Sequence, residues 1–249
     1  MLTILPVRGL PDIGKGDNLA KMIVTKFGDE GQKIQQGDII VIAQKVVSKA
    51  EGRVISLTKV KPSPFAKAIA VEAGKDPRHV ELILRESKKI IRMGKGHLIT
   101  ETKHGFICAN AGIDMSNVGR NSDIVTLLPL DPDKSAAKIR TDIRREAGQD
   151  VPVIVTDTFG RAWRVGHVNF AIGVSGIKPI KDYRGTRDMY RYVLHVTEIA
   201  VADELASAAE LVMNKADKIP VAVVRGYRFR RGIGTARDLI RPEELDLFR

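Results

Sequence analysis

The 249-residue chain has a single cysteine, Cys108. That excludes an intramolecular disulfide framework and any paired-cysteine metal knuckle. Aromatic residues make up only 5% of the chain and are scattered along it, which speaks against stacking platforms for single-stranded nucleic acid. No apolar run approaches the ~20 residues needed to cross a bilayer. The first residues, Met-Leu-Thr-Ile-Leu-Pro, lack a basic stretch followed by a long apolar one, so no secretory signal is expected and the expected location is cytoplasmic. There is no G-x-x-x-x-G-K-[ST] loop, no HExxH and no nucleophile elbow. Gly14-Lys15-Gly16 and Gly94-Lys95-Gly96 begin like dinucleotide loops but lack the third glycine. The five histidines have no ligand-like spacing, so no zinc site is expected.

What the chain does have is positive charge. Lys plus Arg number 41 against 30 Asp plus Glu, a formal balance of +11. This favours anionic partners. Three readings fit it: a basic surface rich in ion pairs, an enzyme whose small substrates are anions, or a nucleic-acid surface. No RNP, zinc-finger or bZIP pattern supports the last. Hydrophobic residues at 43% are ordinary for a folded protein.

Periodicity predicts a strand over residues 2–7, then a helix capped by Asp17 or Asn18 and running to about Asp29. The run DIIVIA at 38–43 reads as a strand buried on both faces. Helices are expected over 62–73 and 77–92, broken at Gly74. Strand-like segments with a turn near 103–105 fill 97–113, and another strand covers 123–128. A charged helix over 132–147 ends at Gly148. Strands follow at 151–155, 168–174 and 221–224, and the longest helical pattern spans 193–215. The mixture has no regular βαβ rhythm. It predicts an α+β fold of mixed sheets with packed helices in two intimately associated subdomains, and not a P-loop or Rossmann fold. No linker cuts residues 1–249.

Several stretches carry candidate chemistry. Ala109–Asn117 surrounds Asp114 with small residues that let a backbone approach a ligand; read alone, it also serves as an ordinary turn held by Asx bonds. Thr156–Gly166 places Asp157 just past a buried strand, where ligands commonly bind, and Arg161 and Arg164 bracket the only tryptophan, Trp163. Arginine forks take phosphate or carboxylate in a bidentate manner. In the helical stretch Ala202–Leu211, Asp203 and Glu210 lie two turns apart on one side, as either a metal ligand or a solvated acidic face. Lys45 follows the 38–43 strand and can neutralise a phosphate, or be a plain surface lysine. Leu10–Gly14 reads as a tight turn able to offer N–H groups. Arg184, Arg187 and Arg191, with Lys178, Lys181 and Tyr183, form a basic belt. Asp114, Asp157 and Glu210 together are oxygen ligands of the kind Mg²⁺ or Mn²⁺ prefers. That set suits phosphoryl transfer.

Four blocks then carry a resemblance: IAQKVVSKAEGR (42–53), HGFICANAGIDMSN (104–117), TDTFGRAWRVGHVNFAIG (156–173) and ADELASAAELVM (202–213). In order and content they resemble the γ-glutamyl ligases of deazaflavin coenzyme F420 biosynthesis, so residues 1–249 are expected to form one ligase unit. The resemblance implies a homodimeric, GTP-dependent enzyme that uses Mg²⁺ or Mn²⁺, two ions being expected, with K⁺ as an optional further cation. Such enzymes join L-glutamate to coenzyme F420-0, then add a second glutamate through its γ-carboxylate, releasing GDP and phosphate by way of an acyl phosphate.

Residue by residue, the resemblance implies Asp114, Asp157 and Glu210 as metal ligands, with Thr158 as an adjacent metal contact. It implies GTP contacts at Pro11, Asp12, Ile13, Gly14, Lys45 and Asn117. Further contacts are implied along Ala208, Ala209, Glu210, Leu211, Val212, Met213, Asn214 and Lys215. At position 214 the family pattern usually has glycine; Asn tolerates left-handed backbone better than most residues. Arg161, Arg164 and Lys45 are the catalytic candidates, the two arginines as grips for a carboxylate or the migrating phosphoryl group. The other readings are a different nucleotide- and metal-dependent carboxylate–amine ligase or kinase, and a basic nucleic-acid-binding protein.

Overall fold

The computed structural model describes residues 1–94, 96–115 and 123–247. The first third runs β1 (Thr3–Pro6), α1 (Leu19–Asp29), β2 (Ile39–Ala43), α2 (Gln44–Ala50), β3 (Val54–Ser56), α3 (Pro64–Ala73) and α4 (Pro77–Glu86). The middle adds β4 (Ser87–Gly94), β5 (His97–Thr102), β6 (Ile107–Ala109), β7 (Ile124–Thr126) and α5 (Pro132–Ala147). The last part is β8 (Val153–Arg161), β9 (Arg164–Ser175), β10 (Lys181–Asp182), β11 (Glu198–Ile199), α6 (Val201–Met213) and β12 (Val221–Arg225). This is the expected α+β class. No helix of the described residues is long and apolar enough to cross a membrane.

The main sheet has the order β1-β12-β2-β8-β9, in which only β2 and β8 are parallel. Its central strands are continuous apolar runs because both faces are covered. On one face Ile40, Ile42, Val153 and Val155 pack against Leu19, Ile23 and Phe27 of α1 and Ile139 and Ile143 of α5. On the other, Ile39, Val41, Ile154 and Ala222 pack against Ala202, Leu205, Ala206 and Ala209 of α6. Ile40 is fully buried, so Ile40→Ala should cost roughly 2–5 kcal/mol. A third core, with Leu57, Ile69, Val80, Ile83, Leu98 and Val125, gathers α3, α4, β5 and β7.

Local signals explain the helix limits. Asn18 caps α1 by accepting the Lys21 N–H at 3.0 Å. Asp131 caps α5 through the Lys134 N–H, and Gly148 ends it at φ 70°. Gly173 is fixed by contact: a Cβ there would lie 2.2 Å from the Pro132 carbonyl oxygen, where α5 starts against β9.

Three expectations are corrected. The helix expected over 77–92 ends at Glu86, and Ser87–Gly94 pairs with His97–Thr102. Ile90 there turns toward the third core, a strand contact that mimics helical spacing. The pattern over 193–215 is helical only from Val201 to Met213. Its β-branched start instead supplies Glu198–Ile199, which pairs with Lys181–Asp182. The 151–155 strand continues to Arg161 and pairs throughout with β9. Thr156–Gly166 therefore lies in a β-hairpin.

Candidate active site

The site forms where β2 stops. The last β2–β8 pair is Ala43 with Thr156. There β2 turns into α2, while β8 continues outward with β9 alone. Asp157 and Thr158 are thus the first residues beyond the parallel pair, at the carboxyl end of its strands. Lys45 stands in the first turn of α2, and its Nζ meets the Asp114 carboxylate at 2.7 Å.

Asp114 is placed by a contorted turn. Asn110, Ala111 and Gly112 have φ of 55°, 54° and 69° in succession. Each of the first two costs about 1 kcal/mol as a non-glycine in this region. Gly112 admits no side chain, since a Cβ would sit 2.9 Å from Leu128. After the turn, Asp114 exchanges backbone hydrogen bonds with Thr126 at 3.1 and 2.9 Å. Among the described residues, the buried Asn110 Oδ1 and Gln44 Nε2 have no hydrogen-bond partner. Buried polar atoms are nearly always paired; one of these two stands four residues before Asp114 and the other next to Lys45, and His79, Thr100, His104 and Arg161 carry further unpartnered atoms elsewhere.

From the other face of the sheet comes α6. Glu210 Oε1 meets Lys215 Nζ at 3.1 Å, and Oε2 accepts from Asn169 Nδ2 at 2.9 Å. Asn169 Oδ1 in turn accepts the Thr158 hydroxyl at 2.7 Å, and Lys215 also donates to that hydroxyl. Asn169 is buried and is the cross-strand partner of Thr158. Sequence reasoning missed it, although the pairing of a 158–169 hairpin would have found it.

Asp157 lies between the two groups. Burial pushes its carboxyl up to about 7; the Thr158 N–H and the Lys45 and Lys215 ammoniums work against that shift, and the Asp114 carboxylate adds to it. Cys108 is close enough to feel Asp157, and burial first, then that charge, raises its thiol to about 12, so it is an inert thiol.

Among the described residues, no three His, Cys, Asp or Glu side chains stand together as a ready metal cluster. Instead two of the acids are each paired with a lysine, Asp114 with Lys45 and Glu210 with Lys215. The donor chemistry nevertheless fits a hard divalent cation: three carboxylates and a hydroxyl, with a half-buried carboxylate beside a second one.

Other candidates stand apart. Asn117 lies outside the described residues. Arg161 is four strand residues beyond Asp157, about 13 Å at 3.3 Å per residue. It pairs with Arg164 at the hairpin tip and donates to the Val165 carbonyl at 2.8 Å. The two arginines therefore extend away from the acids. Around the tip, Trp163 (84% exposed) and Val165 (99%) face solvent. Pro11, Asp12 and Gly14 are exposed in a loop, and Ile13 is buried in the core. That loop meets the far end of α2, with Gly16 N–H on the Ala50 carbonyl, and the Gly14 N–H is taken by Asp17. Ala209 and Met213 are core residues; Leu211 faces solvent. Ala208 and Val212 are half-buried beside Glu210. Asn214 ends α6 at φ 49°, ψ 172°. In the basic belt, Arg184 is bound to Asp182 and Glu198, and Lys181 sits over the Tyr183 ring.

Comparison with known proteins shows the family. Residues 9–226 match the family F420-0:Gamma-glutamyl ligase. The Coenzyme F420:L-glutamate ligase of Methanothermobacter thermautotrophicus is 49% identical over all of this chain and 99% of its own length. That of Methanocaldococcus jannaschii is 50% identical over 87% of this chain and 86% of its own, and that of Methanopyrus kandleri 47% over 100% and 98%. The chain belongs to the F420-0:Gamma-glutamyl ligase family and is a ligase that forms carbon–nitrogen bonds.

Proposed function

We propose that this ligase adds L-glutamate to coenzyme F420-0, and a second glutamate through a γ-linkage, at the expense of GTP. The observation that carries the reading is the convergence of Lys45, Asp114, Asp157, Thr158, Glu210 and Lys215 at the end of the parallel strand pair. Names of the relatives supply the glutamate and the coenzyme; the charge pattern supports a phosphate-bearing co-substrate.

The step is an activation followed by an exchange. An acceptor carboxylate oxygen attacks the γ-phosphorus, the bond to the β-phosphate oxygen breaks, and GDP leaves. The glutamate amine then attacks the acyl carbon, loses its proton, and phosphate leaves. In this reading Asp114, Asp157, Glu210 and Thr158 would hold divalent ions, Mg²⁺ or Mn²⁺, which would supply positive charge to offset that of a polyphosphate. Lys45 places a point charge on the same polyphosphate. When the phosphates enter, Lys45 and Lys215 exchange a carboxylate partner for an anionic ligand, so the lysines already hold the positions where positive charge is needed. K⁺ as a further cation, a homodimer and a cytoplasmic setting belong to the same proposal.

The test is direct. The protein is incubated with GTP, Mn²⁺, glutamate and coenzyme F420-0, and products are weighed. Masses of one and then two added glutamates, with stoichiometric GDP and phosphate, and loss of both on chelation, are expected. A glutamylated product formed equally well without nucleotide, or with another acceptor in preference, overturns the reading.

A further inference from the structure

In a chain poor in aromatics, three of the seven phenylalanines meet at the outer strand of the main sheet. Phe159 and Phe170 stack with centroids 5.6 Å apart and 24° between planes. Phe106, from the β5–β6 turn, lies 6.3 Å from Phe159. All three are half-buried, so each ring keeps an open part. They line a groove of about 240 Å³ whose other wall includes Ile240 and Arg241 and whose lining includes Asp203. The Asp203 Oδ1 accepts the Ala171 N–H at 2.9 Å. An ion pair of Lys89 with Glu243 at 2.7 Å ties the C-terminal wall to β4.

The groove is continuous with the acids. Phe170 is the cross-strand partner of Asp157, and Phe159 follows Asp157 by two residues on the same face of β8. A ligand lying on the rings therefore ends beside the phosphate-transfer site. Flat aromatic ligands stack on such rings, an aspartate accepts from a ring N–H, and an arginine donates to ring carbonyls. The volume is below the 300–1,000 Å³ that encloses a whole drug-sized ligand. It suits a ring system whose tail leaves the groove.

We propose that this groove binds the planar tricyclic deazaflavin ring of the acceptor on Phe106, Phe159 and Phe170, with the anionic tail directed toward Asp157. The inference rests on the ligase reading above, and it assigns the ring a place that reading leaves open. Arg241 and Asp203 face the polar edge of the ring and select it over a plain hydrocarbon of the same size.

The test uses two probes: coenzyme F420-0, and the deazaflavin chromophore stripped of its phosphodiester tail. Binding is read by the chromophore's own fluorescence anisotropy, and turnover by product mass. The variants are Phe159→Leu, Phe170→Leu and Ile107→Trp. The last places a bulky ring at the exposed mouth of the groove and leaves the three phenylalanines intact, so it holds even where a core change harms folding. Nucleotide binding and a thermal melt check each fold. Loss of a stacking partner should weaken chromophore binding about tenfold, the order expected when one flat ring loses one aromatic partner. KM for F420-0 should rise by a similar factor with little change in kcat. A wild type that glutamylates F420-0 while these variants bind and turn over like it overturns the groove and leaves the ligase reading standing. A chromophore that binds at the rings with no glutamylated product supports the groove and sinks the ligase reading.

Discussion

Lys45 reaches Asp114 from the first turn of a helix locked to the sheet, with only 21% of its side chain exposed. Lys215 reaches Glu210 from the irregular stretch after α6, 62% exposed. The two pairs look alike as ion pairs and differ in how they are held. The first depends on buried elements on either side: β2 feeding α2, and the strained Asn110–Gly112 turn fixed by Leu128. The second depends on Asn169 and Thr158, which bind the carboxylate and the ammonium from the hairpin. Ion pairs this exposed contribute little to stability on their own. The difference therefore bears on function: one lysine is held between buried elements, and the other reaches its partners from an exposed segment.

Asp157 is common to both sides, so its loss should be the most severe. Asp157→Asn is expected to lower kcat by about 10²–10³-fold, the scale for removing one preorganised group at a reacting centre, measured by GDP release and product mass. Its stability should move the other way. The folded-state carboxyl titrates at about 7 against an ordinary 3.8, so the folded protein binds more protons between these values. That contribution is fully present below about pH 4, falls as pH rises, and is gone above about pH 7. Without divalent ions, the difference in melting temperature between Asp157→Asn and the wild type should grow in favour of the variant from pH 4 to pH 7. A flat difference would show that Asp157 is not held in this environment, and with it would go the link between the two pairs.

The pairs themselves come next. Lys45→Met should lower kcat/KM for GTP by about 10²-fold, and Lys215→Met by about tenfold, as expected if preorganised charge counts for more than charge that must be gathered. Initial rates over a GTP series measure both. Equal losses would erase the distinction, and a larger loss for Lys215→Met would reverse it.

Much of this was legible in the sequence, for physical reasons that differ by residue. The apolar run at 38–43 and the capped helix over 132–147 are read from local chemistry, and they hold. Asp114, Asp157 and Glu210 could be chosen by residue type and resemblance. The hairpin could not, because Val151–Val155 looks complete as a strand, and only pairing with β9 carries it on to Arg161. The same oversight hid Asn169, which gains its role only by lying opposite Thr158. It also hid the three phenylalanines, which are 11 to 64 residues apart and meet only through the β5–β6 turn and the hairpin. The arginines were chosen for nearness to Asp157 in sequence, and the extended strand sets Arg161 about 13 Å along from it.

The smallest effect concerns the hinge between α6 and Lys215. Asn214 sits at φ 49°, ψ 172°, next to a region of backbone space almost confined to glycine. Its side chain recovers part of the cost through the Asp217 carboxylate at 2.8 Å. Asn214→Gly removes strain of ~1–3 kcal/mol and gives up that hydrogen bond and some ~0.4–1 kcal/mol of chain entropy. The balance is a gain of about 1 kcal/mol, a rise in Tm of about 2–4 °C for a chain of this size. Activity should change less than twofold, because Glu210 is held by Asn169 and not by residue 214. A melt and a GTP series on the same preparation decide it. A drop in Tm would mean that the Asn214–Asp217 contact outweighs the strain, and that the Lys215 side is built as firmly as the Lys45 side.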